Sequence, residues 1–443
     1  MTDRVISGRV LTFRRAPTGA GDAGSYDYFP DGAVLIGGGK VEAVGRAESL
    51  LPRAGGAPVD RYADKLILPG FIDTHIHFPQ TQVIASYGAQ LLEWLEKYTF
   101  VEEQKYADRD HAARNAEFFL DELARCGTTT ACCYGSVHAE SVDSLFAAAE
   151  RRGAGMIAGV AIMDRNGPPA LLDVGRDSVA ASRDLIRRWH GAGRQRYAVT
   201  PRFAITSSDA QLAACGALLR EFPGLYMQTH LDENHDEIAA VRRLFPGDPS
   251  YGAVYARTGL LGPRALLGHC IHLDDSEIAL LRDTQSVAVF CPTSNLFIGS
   301  GLFDYSRLAA HGVRIALATD VGGGTSYSML QTAAEAYKAM QLRGQTLSAL
   351  AAFDLMTRGN ATVLGLEGEI GTLAAGSYAD VVVLDACATP AMAHRMETVR
   401  DLEEELFVLM TLGDDRAVKQ TYVKGRAVPR GLNPPRDPPP STP

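Results

Sequence analysis

The chain has 443 residues, a net charge of −9, 46% hydrophobic and 21% charged residues. It exceeds an ordinary (β/α)8 barrel by well over a hundred residues, so a second structural unit is expected. The acidic balance argues against nucleic-acid and anionic-membrane partners, which favour basic surfaces.

The seven cysteines form no CxxC pattern and no disulfide framework, as expected of a reducing compartment. MTDRVISGRVLTFRR lacks an apolar signal core and no stretch is long enough to span a bilayer, so the expected location is cytoplasmic.

From residue 5 to about 66 the chain alternates and turns, and DGAVLIGGGKVEAVG reads as a β-hairpin around 37–39. The same texture returns after about 368 in GTLAAGSYADVVVLDA and KQTYVKGRAV. Neither end makes a comfortable core alone. Residues 1–66 and 369–430 are therefore expected to build one composite β-sandwich, flanking a barrel at 67–368. A proline-rich tail at 431–443 is expected to be disordered.

Between the ends, strands and helices alternate. Apolar runs at 66–73, 128–134, 155–162, 197–203, 225–229, 265–268, 286–290 and 314–319 read as buried strands. Helical patterns fall at 111–126, 178–190, 209–222, 275–283 and 326–342. This alternation predicts an α/β fold with a parallel (β/α)8, TIM-like barrel.

His75 and His77 in PGFIDTHIH, His230 in MQTHLDEN, His269 in LLGHC and Asp320 in IALATD each close one of these runs. The C-terminal strand ends of a barrel meet at the active site. Imidazoles and a carboxylate suit zinc, and iron less exclusively. A lone buried histidine is more often a satisfied core residue than a ligand. H-x-H is stronger, because alternate residues of a strand share one side. The whole set, in order and at strand ends, points to a metal-dependent hydrolase. His111, His190, His235, His311 and His394 lie in helical or polar stretches suited to a solvated surface, and His272 stays open.

Glu233 lies three residues beyond His230, where a first helical turn can face a carboxylate back toward the metal as general acid/base. Stabilising that first turn is its structural alternative, a role Asp232 fills equally well. No lysine occurs between Lys105 and Lys338, so a carboxylated lysine cannot bridge two metals, and one ion per chain is expected. His138-Ala139-Glu140 matches half of another zinc-deaminase signature. No P-C-x-x-C accompanies it, and the match is read as chance.

PGFIDTHIHFPQTQ, GAQLLEWLEKYTF, TPRFAITSS, QTHLDENHDE and TDVGGGTSYSML together resemble the guanine deaminases of the amidohydrolase superfamily, over nearly the entire chain. The resemblance implies that His75, His77, His230 and Asp320 hold one Zn2+, with iron as the alternative. It places His269 beside the metal, orienting the attacking water, with Glu233 and Asp320 moving protons. Gln80 and Arg202 would hydrogen-bond the purine, Phe203 would hold the ring, and His77, His230, Glu233 and Asp320 would face the substrate. Trp94 either helps close the pocket or fills a helix core. The implied reaction converts guanine and water to xanthine and ammonia, in a homodimer. The metal ligands alone leave open a different heterocycle, such as a pterin or a triazine. A non-catalytic scaffold on the same fold is the remaining alternative.

Overall fold

The computed structural model describes residues 2–88, 90–173, 175 and 177–429; the tail expected at 431–443 lies outside them. Eight parallel strands follow one another in chain order: Phe71–His77, Thr128–Tyr134, Gly155–Gly159, Gln195–Pro201, Tyr226–Leu231, Ala265–His269, Val287–Phe290 and Arg314–Leu317. Their residues are buried almost throughout, so near-continuous apolar runs replace alternation, as parallel sheets covered on both faces require. The last strand returns to the first. Asp320 N–H donates to His75 O at 2.8 Å and His77 N–H to Val321 O at 2.7 Å.

Helices cover the outside with one apolar face each. In Arg109–Arg125, Ala112, Ala116, Phe119, Leu120 and Leu123 are buried at helical spacing, and Asp108 caps the start by accepting the N–H groups of Asp110 and His111. The expected helix at 326–342 begins later, at Met329, because Ser328 caps it. Helices Ala139–Arg152 and Leu402–Leu412 add to those anticipated.

Both chain ends build one hydrogen-bonded seven-stranded sheet, ordered Arg426–Ala427, Val418–Val423, Val381–Leu384, Val59–Pro69, Arg4–Phe13, Tyr26–Gly37 and Lys40–Arg46. The hairpin at 37–39 is present, with Gly38 and Gly39 at φ of 59° and 77°. Ile6, Val10, Val34, Ile36, Ile67, Val381 and Val383 form a core of its own.

The strand expected at 66–73 is two strands. Residues up to Pro69 belong to the terminal sheet, and the barrel strand starts at Phe71. Gly70 separates them: its N–H donates to Asp380 O, and a Cβ there would lie 2.4 Å from Thr129 Oγ1. The apolar run LILPGFI crosses this hinge without a change of period. The run at 155–162 is likewise broken, into Gly155–Gly159 and Ala161–Ile162.

Candidate metal centre and active-site pocket

The first strand carries His75 and His77 on one side, with their Nε2 atoms 3.3 Å apart. His230, on the fifth strand, places Nε2 3.3 Å from that of His77. Its Nδ1 lies 2.7 Å from Arg202 O, an atom that only accepts, so Nδ1 carries the proton and Nε2 offers a lone pair. Asp320 Oδ1 is 3.3 Å from His75 Nε2 and 3.2 Å from His77 Nε2. Ligands bound about 2.0–2.1 Å from a tetrahedral ion lie about 3.3–3.4 Å from one another. Lone pairs converging at this spacing, with a carboxylate among them, fit a divalent cation.

The local electrostatics favour the ligand forms. Burial holds His77 down to about 4, and burial with His75, His77 and His269 as neighbours holds His230 well below the usual imidazole range. Burial works to raise Asp320, but the charge and hydrogen bonds of His75 and His77 keep it well below the carboxylate range.

His269 stands between two buried carboxylates, those of Glu233 and Asp320. Its Nε2 is 3.3 Å from Glu233 Oε2 and 3.7 Å from Asp320 Oδ2, while Nδ1 bonds Asn295 Oδ1 at 2.8 Å. Glu233 also accepts a hydrogen bond from Ser300 Oγ at 3.0 Å. Burial, and then the charge of Asp320, push Glu233 up to about 8, against the pull of Ser300. A buried carboxyl with a raised pKa beside a metal site suits proton transfer near neutrality.

Backbone geometry fixes these positions. His269 and Asp320 adopt left-handed φ values of 72° and 51°, which turn the strand ends inward. Gly268 is required, since a Cβ would lie 2.5 Å from His75 Cε1 and push the ring aside. Asp73 accepts the N–H of His75 at 3.2 Å, the N–H of Thr319 at 3.2 Å, and the Thr319 hydroxyl. It ties the first and eighth strands directly beneath the centre.

His77, Gln80, Trp94, Arg202, Phe203, His230, Glu233, His269 and Asp320 line one cavity. Leu91, Leu95 and Ile298 supply apolar walls. Trp94 satisfies both earlier readings: it faces the cavity, is 2% exposed, and donates its indole N–H to Ser86 O at 3.2 Å.

Two expectations need correction. Glu233 precedes the helix, whose N-cap is Asn234, so it is not in a first helical turn, and neither is Asp232. Asp232 sits in a left-handed link at φ 49°, and its carbonyl accepts the N–H groups of Ile271 and His272. Asn234 and Glu237 form the capping box of the following helix His235–Leu244 instead. His111 and His190 are half-buried rather than solvated; His190 Nδ1 accepts the N–H of Tyr197 at 3.1 Å. The reading of the His138 match as chance stands: the residue is the N-cap of Ala139–Arg152 and is not among those lining the active-site cavity.

Sequence reasoning missed Glu103, Asn295, Ser300, Asp73 and Cys291. Cys291, just beyond the seventh strand, has its sulfur within 4.8 Å of ligand atoms of His75, His269 and Asp320. Only Asp73, in FIDTHIH, had a local signal.

Fold and site together define a metal-dependent hydrolase of the barrel type. The amidohydrolase family matches residues 66–428, and the chain belongs to it. It is 47% identical to the guanine deaminase of Escherichia coli strain K12 over 409 residues, covering 92% of this chain and 93% of that protein. Among solved structures, E. coli guanine deaminase superposes with a TM-score of 0.93 at 45% identity, covering 96% of this chain and 99% of the other. Guanine deaminase from C. acetobutylicum with guanine bound in the active site superposes with a TM-score of 0.85 at 27% identity, with coverage of 96% and 99%.

Proposed function

We propose that the protein is a guanine deaminase that hydrolyses guanine to xanthine and ammonia in purine catabolism or salvage. One observation carries this reading: His77, His230 and Asp320, which stand at ligand spacing with His75 behind them, line the same pocket as Arg202 and Gln80, polar groups suited to an oxygenated purine edge. The similarity to guanine deaminases over nearly the whole chain supports it. The presence of every ligand argues against a scaffold role.

His75, His77, His230 and Asp320 would hold one zinc ion per chain. Bound there, it would supply hydroxide at neutral pH by lowering the pKa of water from ~15.7 toward ~7. Arg202 and Gln80 hydrogen-bond the oxygen-bearing edge of guanine, and Phe203 packs on the ring. Glu233 takes the proton of the water attacking C2 and delivers it to N3. His269 orients that water. Asp320 and Glu233 relay a second proton to the amino group, so that ammonia leaves and xanthine remains.

Adenine presents an amino donor at C6 where guanine presents an acceptor. A guanidinium can only donate, so adenine leaves the pocket-facing N–H groups of Arg202 without an acceptor, at a cost of about 1.5–3 kcal/mol. It also has no amino group at C2 to displace.

We further propose a cytoplasmic homodimer with no nucleic-acid or membrane partner, and a division into a barrel that begins at Phe71 rather than at 67 and ends near 368, beside one composite β-sheet unit built from both chain ends. Among the described residues no helix is long and apolar enough to cross a membrane. The exposed apolar side chains of Phe297 and Leu412 flank one surface hollow, as a contact between subunits would need.

Ammonia release across guanine, adenine, cytosine and pterins, with elemental analysis, tests the reading. Rapid release from guanine and essentially none from adenine are expected, with about one ion per chain. A better rate on another ring, or wild-type efficiency in Arg202→Met, overturns the substrate assignment. Two stoichiometric ions overturn the mononuclear centre.

A further inference from the structure

Behind the pocket, one buried carboxylate engages both groups that face the ring. Glu103 Oε1 accepts from Gln80 Nε2 at 3.0 Å, and Oε2 accepts from Arg202 Nη1 at 2.6 Å. The two charged side chains are 1% and 4% exposed. Phe100, one turn earlier, lies against the guanidinium, 5.3 Å from ring centroid to Cζ. The other end of the Gln80 amide accepts the N–H of Gly322 at 3.4 Å. Both ends of Gln80 are therefore fixed, and Arg202 keeps the rest of its fork for the pocket it lines.

We propose that Glu103 is the positioning residue for the ring-binding side of the pocket, aiming Arg202 and Gln80 and cancelling the charge of Arg202 so that a neutral ring binds in preference to an anion. This rests on Arg202 and Gln80 being the guanine-binding pair. A buried, unpaired guanidinium would attract an anion to recover its lost hydration. Paired with Glu103, it presents directed N–H groups without net charge. The difference matters at the end of turnover. Replacing the amino group of the ring by a carbonyl makes its remaining N–H groups more acidic. The product therefore ionises more readily than the substrate, and a neutral wall favours its release.

Glu103→Gln, Glu103→Asp and Arg202→Met, made in the full-length metal-loaded enzyme, separate the possibilities. The measurements are kcat and KM for guanine, and inhibition by xanthine on both sides of its ionisation. Glu103→Gln is expected to raise KM at least about tenfold, the usual cost of a buried hydrogen bond to a charged group, with a smaller fall in kcat. It is also expected to bind anionic xanthine more tightly than wild type does. Glu103→Asp keeps the charge but loses reach, so KM rises while xanthine inhibition does not strengthen.

A purely structural Glu103 would weaken guanine and xanthine alike, and that outcome overturns the proposal. So does wild-type KM in Glu103→Gln while Arg202→Met loses guanine. If Glu103→Gln fails to fold, Glu103→Asp decides, and an unchanged KM overturns the proposal. A silent Arg202→Met instead removes the substrate-site reading on which the proposal stands.

Discussion

At the scale of single residues, Glu233 carries the sharpest test. It must be unprotonated to take a proton from water, and burial beside Asp320 pushes it up to about 8. A bound cation pulls it back toward the ordinary value of about 4.3. The acid limb of kcat/KM should therefore lie between these values, with activity falling as pH drops through it. Glu233→Gln should remove that limb and lower kcat by about 10²–10⁴-fold at unchanged metal content. Near-wild-type turnover would exclude Glu233 as the proton carrier. Gly268 offers a second test through His75. Gly268→Ala puts a methyl group 2.5 Å from the imidazole, so it should lower metal content and activity together, and added zinc should restore part of both. Full metal occupancy in the variant would contradict the packing argument. The candidate ligands were legible because each closes an apolar run that only a barrel would gather. Glu103 was not, since its partner Arg202 is 99 residues away and no local pattern joins them.

At the scale of elements, the wall of the pocket is one helical segment of mixed pitch. Leu91–Trp94 and Phe100–Glu103 are α-helical, and Leu95–Thr99 between them is a π-helix. The wider turn shifts Phe100 and Glu103, which follow it, around the helix relative to Leu91 and Trp94; such insertions recur at functional sites. LLEWLEKYTF is readable in the sequence as a motif, and Leu91, Trp94 and Leu95 share the cavity face at ordinary α-helical spacing, but the change of pitch that re-aims Phe100 and Glu103 beyond them is not readable. The terminal strands show the same divide. Their alternating texture is evident, whereas pairing of Val59–Pro69 with both Arg4–Phe13 and Val381–Leu384 depends on partners more than three hundred residues apart. Trp94 should act as a wall rather than as a core residue alone. Trp94→Phe keeps an aromatic face, while Trp94→Ala loses ring contact worth about 0.5–1.5 kcal/mol and opens the pocket to water. The alanine variant should raise KM for guanine by up to about tenfold, and the phenylalanine variant far less. Equal KM values for wild type and Trp94→Ala, with only thermal stability reduced, would make Trp94 a core residue.

For the whole molecule, the question is what joins the terminal sheet to the barrel. Arg194, just before the fourth barrel strand, is 5% exposed and forms a two-point ion pair with Asp380, which is 3% exposed and precedes the sheet strand Val381–Leu384. The guanidinium also donates to Gly153 O at 2.9 Å and Thr130 Oγ1 at 3.1 Å, while Asp380 accepts the N–H of Lys424 at 3.1 Å. One charge pair thus gathers the second, third and fourth barrel strands with two parts of the C-terminal sheet. Desolvating both ions offsets most of their attraction, so the pair adds little net stability, but removing one partner strands the other. Asp380→Ala should therefore lower the unfolding free energy by about 3–5 kcal/mol. The double change Arg194→Met with Asp380→Leu should recover most of that loss, because no buried charge remains unpaired. The centre lies at the other end of the strands, so folded Asp380→Ala should keep its metal and its guanine KM. Denaturant unfolding of the three proteins decides. A loss in the double variant as large as in the single one would mean that the ion pair itself, rather than avoidance of an unpaired charge, holds sheet and barrel together.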